Sequence, residues 1–194
     1  MDYFQIIAIF LIAIFYISYF IKMLLQRKQG IKTDQIARGN KPVSTQRVEQ
    51  FMRVATLAIV PVELGSIIVD THKLESQIFT AIGLAVAMVG VLCFVIAMVT
   101  MKNSWRAGIN SAEKTTLIKS GIYRISRNPA FLGFDLMYIG IFIAYANVVH
   151  FIFMAFAMVM LHFQILEEEK FLPTVFGEEY LDYKRKTARY FLFL

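Results

Sequence analysis

Apolar residues fall into five long runs, separated by short stretches that hold most of the charge. The runs cover Tyr3 to Leu25, Phe51 to Val69, Ile78 to Met101, Phe131 to Ala146 and Val148 to Leu166. A bilayer core about 30 Å thick needs about 20 apolar residues as helix. The pattern therefore predicts an all-α integral membrane protein with five transmembrane helices. No run alternates as a strand would, and no internal repeat or low-complexity tract interrupts the series. The first run is too long for a signal-peptide core and has no basic segment before it, so it is expected to remain as an anchor. Asn147 and its neighbours carry no charge, which predicts a tight antiparallel hairpin of the fourth and fifth helices with neighbouring inner ends.

Charge orients these helices. Arg27 to Arg53 holds seven basic residues, Lys102 to Arg127 six and Lys170 to Arg189 five, whereas the Asp70 to Glu75 loop has only Lys73. The positive-inside rule then predicts an outside N-terminus and a cytoplasmic C-terminus. The polar Gly30 to Thr45 stretch reads as a cytoplasmic connector.

Composition supports lipid as the solvent: 58% of the 194 residues are hydrophobic and 18% charged, too apolar for one soluble core. The net charge of +6 lies between apolar runs rather than along one polar face, which favours anionic lipid headgroups over nucleic acid. With Cys93 as the single cysteine, an intrachain disulfide and a cysteine-rich metal site are excluded, and no metal ligand set is expected. Glu63, two positions after Pro61, and Asp135 lie at membrane depth. Either they line a path, or Glu63 bonds a neighbouring helix and Asp135 sits at the wet interface.

Candidate chemistry is concentrated after Trp105. Asn128 before Pro129 predicts a helix start, with the asparagine capping free amides and proline at the first helical position. That end would offer amide donors and a positive dipole beside Arg127, suited to an anionic group. In the fifth helix Gln164 and Glu168 share one face, and Phe163 and Glu167 another, with His162 a half-turn deeper. A carboxylate there suits an ammonium, a ribose hydroxyl or a sulfonium. The alternative is that Glu167, Glu168 and Glu169 form a solvated charge run. After the Phe176-Gly177 turn, a short amphipathic helix places Tyr180 and Tyr183 on one face, and Lys184, Arg185, Lys186 and Arg189 suit anionic headgroups.

Gly121-Ile122-Tyr123-Arg124, Arg127-Asn128-Pro129-Ala130-Phe131-Leu132-Gly133, the glutamates after the last span, and Phe176-Gly177-Glu178-Glu179-Tyr180 with Tyr183 occur in the order and spacing of a known pattern. Over Trp105 to Leu194 the chain resembles the isoprenylcysteine carboxyl methyltransferases and the wider group that includes membrane phospholipid methyltransferases. The resemblance implies three N-terminal helices with a connector in residues 1–101. It implies a catalytic region in residues 102–194, with a cytoplasmic cofactor-binding loop, the helix hairpin and a C-terminal tail.

The implied activity is S-adenosylmethionine-dependent methylation of a carboxylate on a lipophilic or prenylated substrate at the cytoplasmic membrane face. The implied cofactor contacts are Thr115, Thr116, Leu117, Ile118, Tyr123, Asn128, Pro129, Ala130, Phe131 and Glu168. Helix geometry adds His162 to these. Arg127 and Gln164 are the candidates for orienting substrate. Asn128 stands where the pattern has histidine, Phe131 where it has tyrosine, and Gln164 where the eukaryotic enzymes place arginine, so a bidentate grip on a carboxylate is lost there. No Gly-x-Gly loop is present, so a cofactor site has to be built from helix ends and the tail. Competing readings are a phospholipid N-methyltransferase, a sterol-type reductase of greater usual length, and a non-enzymatic scaffold or carrier.

Overall fold

The computed structural model describes residues 1–69, 77–109 and 115–191. Among them are six helices: α1 (Tyr3–Lys28), α2 (Val43–Ile68), α3 (Gln77–Met101), α4 (Pro129–Ala144), α5 (Val148–Phe176) and α6 (Glu178–Lys186). The described residues contain no extended strand, only the isolated bridges Asp34 to Ala107 and Ser126 to Ala188. Helices α1, α2, α3 and α5 are long and apolar enough to cross a membrane, the architecture of a multi-pass membrane protein. The fourth run is shorter than the others: α4 has 16 residues, about 24 Å of helix. The Asp70 to Glu75 loop lies outside the described residues.

Helix α1 shows how the sequence makes one of these elements. Asp2 accepts from the Gln5 amide at 2.8 Å and the Gln5 side chain accepts from the Asp2 amide at 2.8 Å, a reciprocal cap, worth about 1 kcal/mol. Ala8, Leu11, Ile12 and Phe15 then recur every three or four residues as the buried face. The opposite face, with Ile6, Phe10, Ile17 and Phe20, is exposed and apolar, as a lipid-facing surface has to be.

The closest packing joins α3 to α4. Gly83 and Gly90 on α3 meet Gly140 and Gly133 on α4, both pairs seven residues apart. A Cβ on Gly83 would lie 2.6 Å from the Ala144 amide nitrogen, and one on Gly133 2.8 Å from the Phe94 amide nitrogen. Small residues are needed because the backbones themselves touch, which maximises dispersion where lipid provides no hydrophobic drive between helices. Helix α1 packs chiefly on α3, and α2 on α5, so α1 and α2 meet only slightly. The hairpin of α4 and α5 does form, turning at Tyr145–Asn147, with Asn147 accepting from the His150 amide at 2.9 Å. Each leg nevertheless packs mostly against a different helix.

Two expectations at helix level are corrected. Asn128 does occupy the N-cap of α4 with Pro129 behind it, but its side chain makes no capping bond. It donates instead to the Arg189 carbonyl at 3.2 Å, because the tail returns across this helix end. Helix α2 runs on through Pro61, yet neither oxygen of fully buried Glu63 has a partner among the described residues, so the expected bond to a neighbouring helix is not made. Asp135 is half-buried, with its Oδ1 buried and without a hydrogen-bond partner among the described residues.

Candidate functional site

The connectors and tail, not the spans alone, build one end of the molecule. The first connector folds inward and pairs with the second, Gln35 donating to the Ala107 carbonyl at 2.8 Å and Ala107 to the Thr33 carbonyl at 2.9 Å. Glu49, fully buried on α2, fastens both: it accepts from the Ala37 amide at 2.6 Å and the Ile109 amide at 2.9 Å, and pairs with Lys41 at 2.7 Å. Gly108 sits beneath this arrangement at φ +85°, where a Cβ would press to 2.9 Å from the Ile36 nitrogen. A side chain there would be strained by both backbone angle and crowding.

The tail is strapped from the other side. Tyr183 donates to the Tyr123 carbonyl at 2.6 Å, and Ser126 to the Arg189 carbonyl at 3.1 Å. Arg127 pairs with Glu169 at 2.7 Å and donates to the carbonyls of Lys184 and Thr187. Arg189 pairs with the same carboxylate at 2.8 Å, and Lys184 reaches it at 3.5 Å. Glu169 raises the proton affinity of the Arg189 guanidinium through this contact. Burial pushes the hydroxyls of Tyr123 and Tyr183 up, and those of Tyr180 and Tyr190 up to about 12. These phenols therefore remain neutral donors at physiological pH. Of the basic tail residues expected at lipid headgroups, Arg189 and Lys184 thus turn toward Glu169, while Arg185 stays exposed beside Asp182.

Between connectors, tail and helix ends lies a cavity of about 620 Å³, within the range of small-molecule sites. Thr115, Thr116, Leu117, Ile118, Tyr123, Asn128, Pro129, Ala130, Phe131, Gln164 and Glu168 all line it, as does Arg127. Of the residues the sequence nominated, only His162 does not. Its Nδ1 instead meets the Tyr190 hydroxyl at 2.9 Å.

The three glutamates separate by environment. Glu167 accepts from Lys170 and from Thr45, each at 2.6 Å. Glu169 holds the tail cluster, and only Glu168 faces the cavity, accepting from Gln164 Nε2 at 3.0 Å. Five polar atoms of cavity-lining residues are buried without a hydrogen-bond partner among the described residues: Gln164 Oε1, Trp105 Nε1, Arg127 Nε and the hydroxyls of Tyr16 and Tyr180. An apolar core would not retain such atoms without cost, whereas a polar guest would satisfy them. The wall beside them is aromatic, with Tyr123, Phe131, Phe134 and Tyr180. A carboxylate, a carboxamide and aromatic faces form a donor set that fits a cation bearing further polar groups.

Arg127, expected to orient an anion, spends both terminal nitrogens on Glu169 and the tail carbonyls. Its side chain is only 7% exposed. Sequence reasoning missed Asp34, Arg53, Trp105 and Arg106, which line the same cavity. Arg53 gave a signal: it is a cation at the head of an apolar run, with Thr56 and Leu57 following on the same helical face.

A family model described as phospholipid methyltransferase matches residues 78–179. A protein-S-isoprenylcysteine O-methyltransferase of Saccharomyces cerevisiae is 29% identical over 121 residues, covering 61% of this chain and 51% of that protein. Protein-S-isoprenylcysteine O-methyltransferase A of Arabidopsis thaliana is 33% identical over 111 residues, 55% of each chain. This chain thus spans about half the length of these relatives.

Proposed function

Because the chain belongs to the phospholipid methyltransferase family, we propose that it is a membrane methyltransferase. In this reading it uses S-adenosylmethionine to methylate a carboxylate on a lipophilic substrate at the cytoplasmic face. The single observation behind this reading is the convergence of Thr115–Ile118, Tyr123, Asn128–Phe131, Gln164 and Glu168 on one cavity that retains unsatisfied buried polar atoms. In this proposal α4 is a fifth crossing, completed by the Tyr145–Asn147 turn, and the N-terminus lies outside.

When bound, the donor supplies an electrophilic methyl on a sulfonium. Glu168 and the aromatic rings of Tyr123 and Phe131 would hold its positive end, Gln164 would accept from one of its polar hydrogens, and the tail would exclude water. An acceptor carboxylate would take that methyl group, with the donor leaving as a neutral thioether. No proton moves, so alignment and dehydration carry the rate and no general base is required.

The family model's description also favours a second acceptor class, the amine of a phospholipid headgroup. Detergent-solubilised protein with labelled donor, offered N-acetyl-S-farnesylcysteine or phosphatidylethanolamine, separates the two. The methyltransferase reading itself stands on S-adenosylhomocysteine raising the melting temperature, since a ligand at 100 times its Kd adds about 2.7 kcal/mol to the folded state. Glu168→Gln is expected to weaken that ligand by about tenfold or more while leaving the fold intact. An unshifted melting temperature in the wild-type protein discards the reading.

A further inference from the structure

The cavity has a second end. On α1, Tyr16, Tyr19, Phe20 and Met23 line it, and on α2, Met52, Arg53, Thr56 and Leu57. Each set follows three- and four-residue spacing, so two continuous helical stripes border the space. Because α1 leans on α3 and α2 on α5, the stripes do not close on each other. At their margins Phe20 is 53% exposed and Leu57 64% exposed. The opening is therefore apolar and faces sideways, where lipid would be. It ends inward at a charged group: Arg53 NH2 contacts Asp34 Oδ1 at 2.7 Å and Oδ2 at 2.9 Å. Arg38 pairs with the same carboxylate at 3.3 Å.

One carboxylate between two guanidiniums leaves a net positive charge. Every bond that Arg53 makes among the described residues uses NH2, so Nε and NH1 retain donors. Its side chain is 38% exposed although it borders the cavity. At the other end Gln164 is a neutral carboxamide that donates to Glu168, and the terminal nitrogens of Arg127 are committed to Glu169 and the tail carbonyls. Arg53 is thus the cation placed where a hydrocarbon chain lying between the α1 and α2 stripes would present its polar head.

We infer that Arg53 binds and orients the carboxylate of the lipophilic methyl acceptor, whose hydrocarbon chain lies in the opening between α1 and α2. The inference rests on the methyltransferase reading and names its substrate-positioning residue. A guanidinium with two free donors forms charge-assisted hydrogen bonds to an anionic oxygen. These fix the head while leaving an oxygen lone pair for the methyl group. A neutral head of the same shape would gain far less.

The test measures binding of N-acetyl-S-farnesylcysteine and of its carboxamide to the full-length protein saturated with S-adenosylhomocysteine. The wild-type protein is expected to prefer the carboxylate by about tenfold or more. In Arg53→Gln the preference falls to within about twofold, through loss of carboxylate affinity alone, while carboxamide and S-adenosylhomocysteine affinities hold. Arg53→Lys keeps a preference of intermediate size, which also covers the case in which the glutamine variant does not fold. In turnover the same substitutions raise KM for the acceptor more than they lower kcat. Equal weakening of both probes, which a purely structural ion pair would produce, overturns the inference. So does an unchanged preference in Arg53→Gln, or a wild-type protein that binds S-adenosylhomocysteine but not the carboxylate. Failure of the wild-type protein to bind S-adenosylhomocysteine overturns the methyltransferase reading instead.

Discussion

The two ends of the cavity are built on opposite principles. At the tail end, Glu169 gathers Arg127, Arg189 and Lys184 around one buried carboxylate, and Tyr183 and Ser126 add bonds from chain segments more than fifty residues apart. At the α1 and α2 end, helices that barely touch leave an apolar opening edged by exposed Phe20 and Leu57. In the proposed reaction the contrast separates two tasks: a polar guest has to be enclosed and dried, whereas a lipid chain has to enter and leave. Rigidity belongs to the first end because misplaced dipoles there do not stabilise a developing charge. Looseness at the second costs little, because lipid replaces the missing helix contacts.

The largest expected effect comes from breaking the tail end. Glu169→Ala strands the Arg127 guanidinium in a buried site, a loss on the order of 3 kcal/mol. Thermal unfolding in detergent is expected to show a lower melting temperature and S-adenosylhomocysteine binding is expected to be lost. A variant with wild-type stability would dissolve the distinction between the two ends.

Leu57→Trp addresses the opening and is expected to leave stability almost unchanged. A bulky ring at the margin should raise KM for a farnesylated acceptor by about three- to tenfold while S-adenosylhomocysteine affinity stays constant. Calorimetry and initial rates on the same preparation separate these outcomes. If donor affinity falls instead, the two ends are mechanically coupled.

Alkaline titration gives a smaller effect with a definite sign. Folded Tyr180 and Tyr190 keep their protons up to about 12 because they are buried, whereas unfolded tyrosines lose theirs near about 10. Between those values the unfolded state binds fewer protons, so stability falls as pH rises. The melting temperature should decline between about pH 10 and 12, and Tyr180→Phe should make that decline shallower. The smallest effect is expected from His162→Ala. Its ring contacts Tyr190 outside the cavity, so donor affinity by calorimetry should stay within about twofold of wild type, as for a residue remote from a site.

Much of the site was legible from the sequence, because short motifs encode local geometry. Asn128-Pro129 marks a helix start whatever surrounds it, and Gln164 and Glu168 share a face simply by being four apart. His162 was misjudged for the same reason: helix spacing gives depth and angle, but not which neighbour the face meets. Arg127 likewise carries a charge that sequence can see, while its commitment to Glu169 depends on how the tail folds back. Asp34 was invisible as a site residue because it precedes the motif region and reaches the cavity only through the inward fold of the first connector, and Arg53 on α2 offered only the signal of a cation heading an apolar run.

By itself, then, the sequence determined what periodicity and hydropathy control: the apolar helices, their order and the local facing of Gln164 with Glu168, while α2 begins eight residues before its apolar run and α5 continues ten beyond its own. Tertiary structure alone decided which helices are partners, the division of labour among Glu167, Glu168 and Glu169, and the opening between α1 and α2. The physical reason is range. Helix formation follows from neighbours three and four residues away, whereas a cavity exists only where backbones distant in the chain approach or fail to approach.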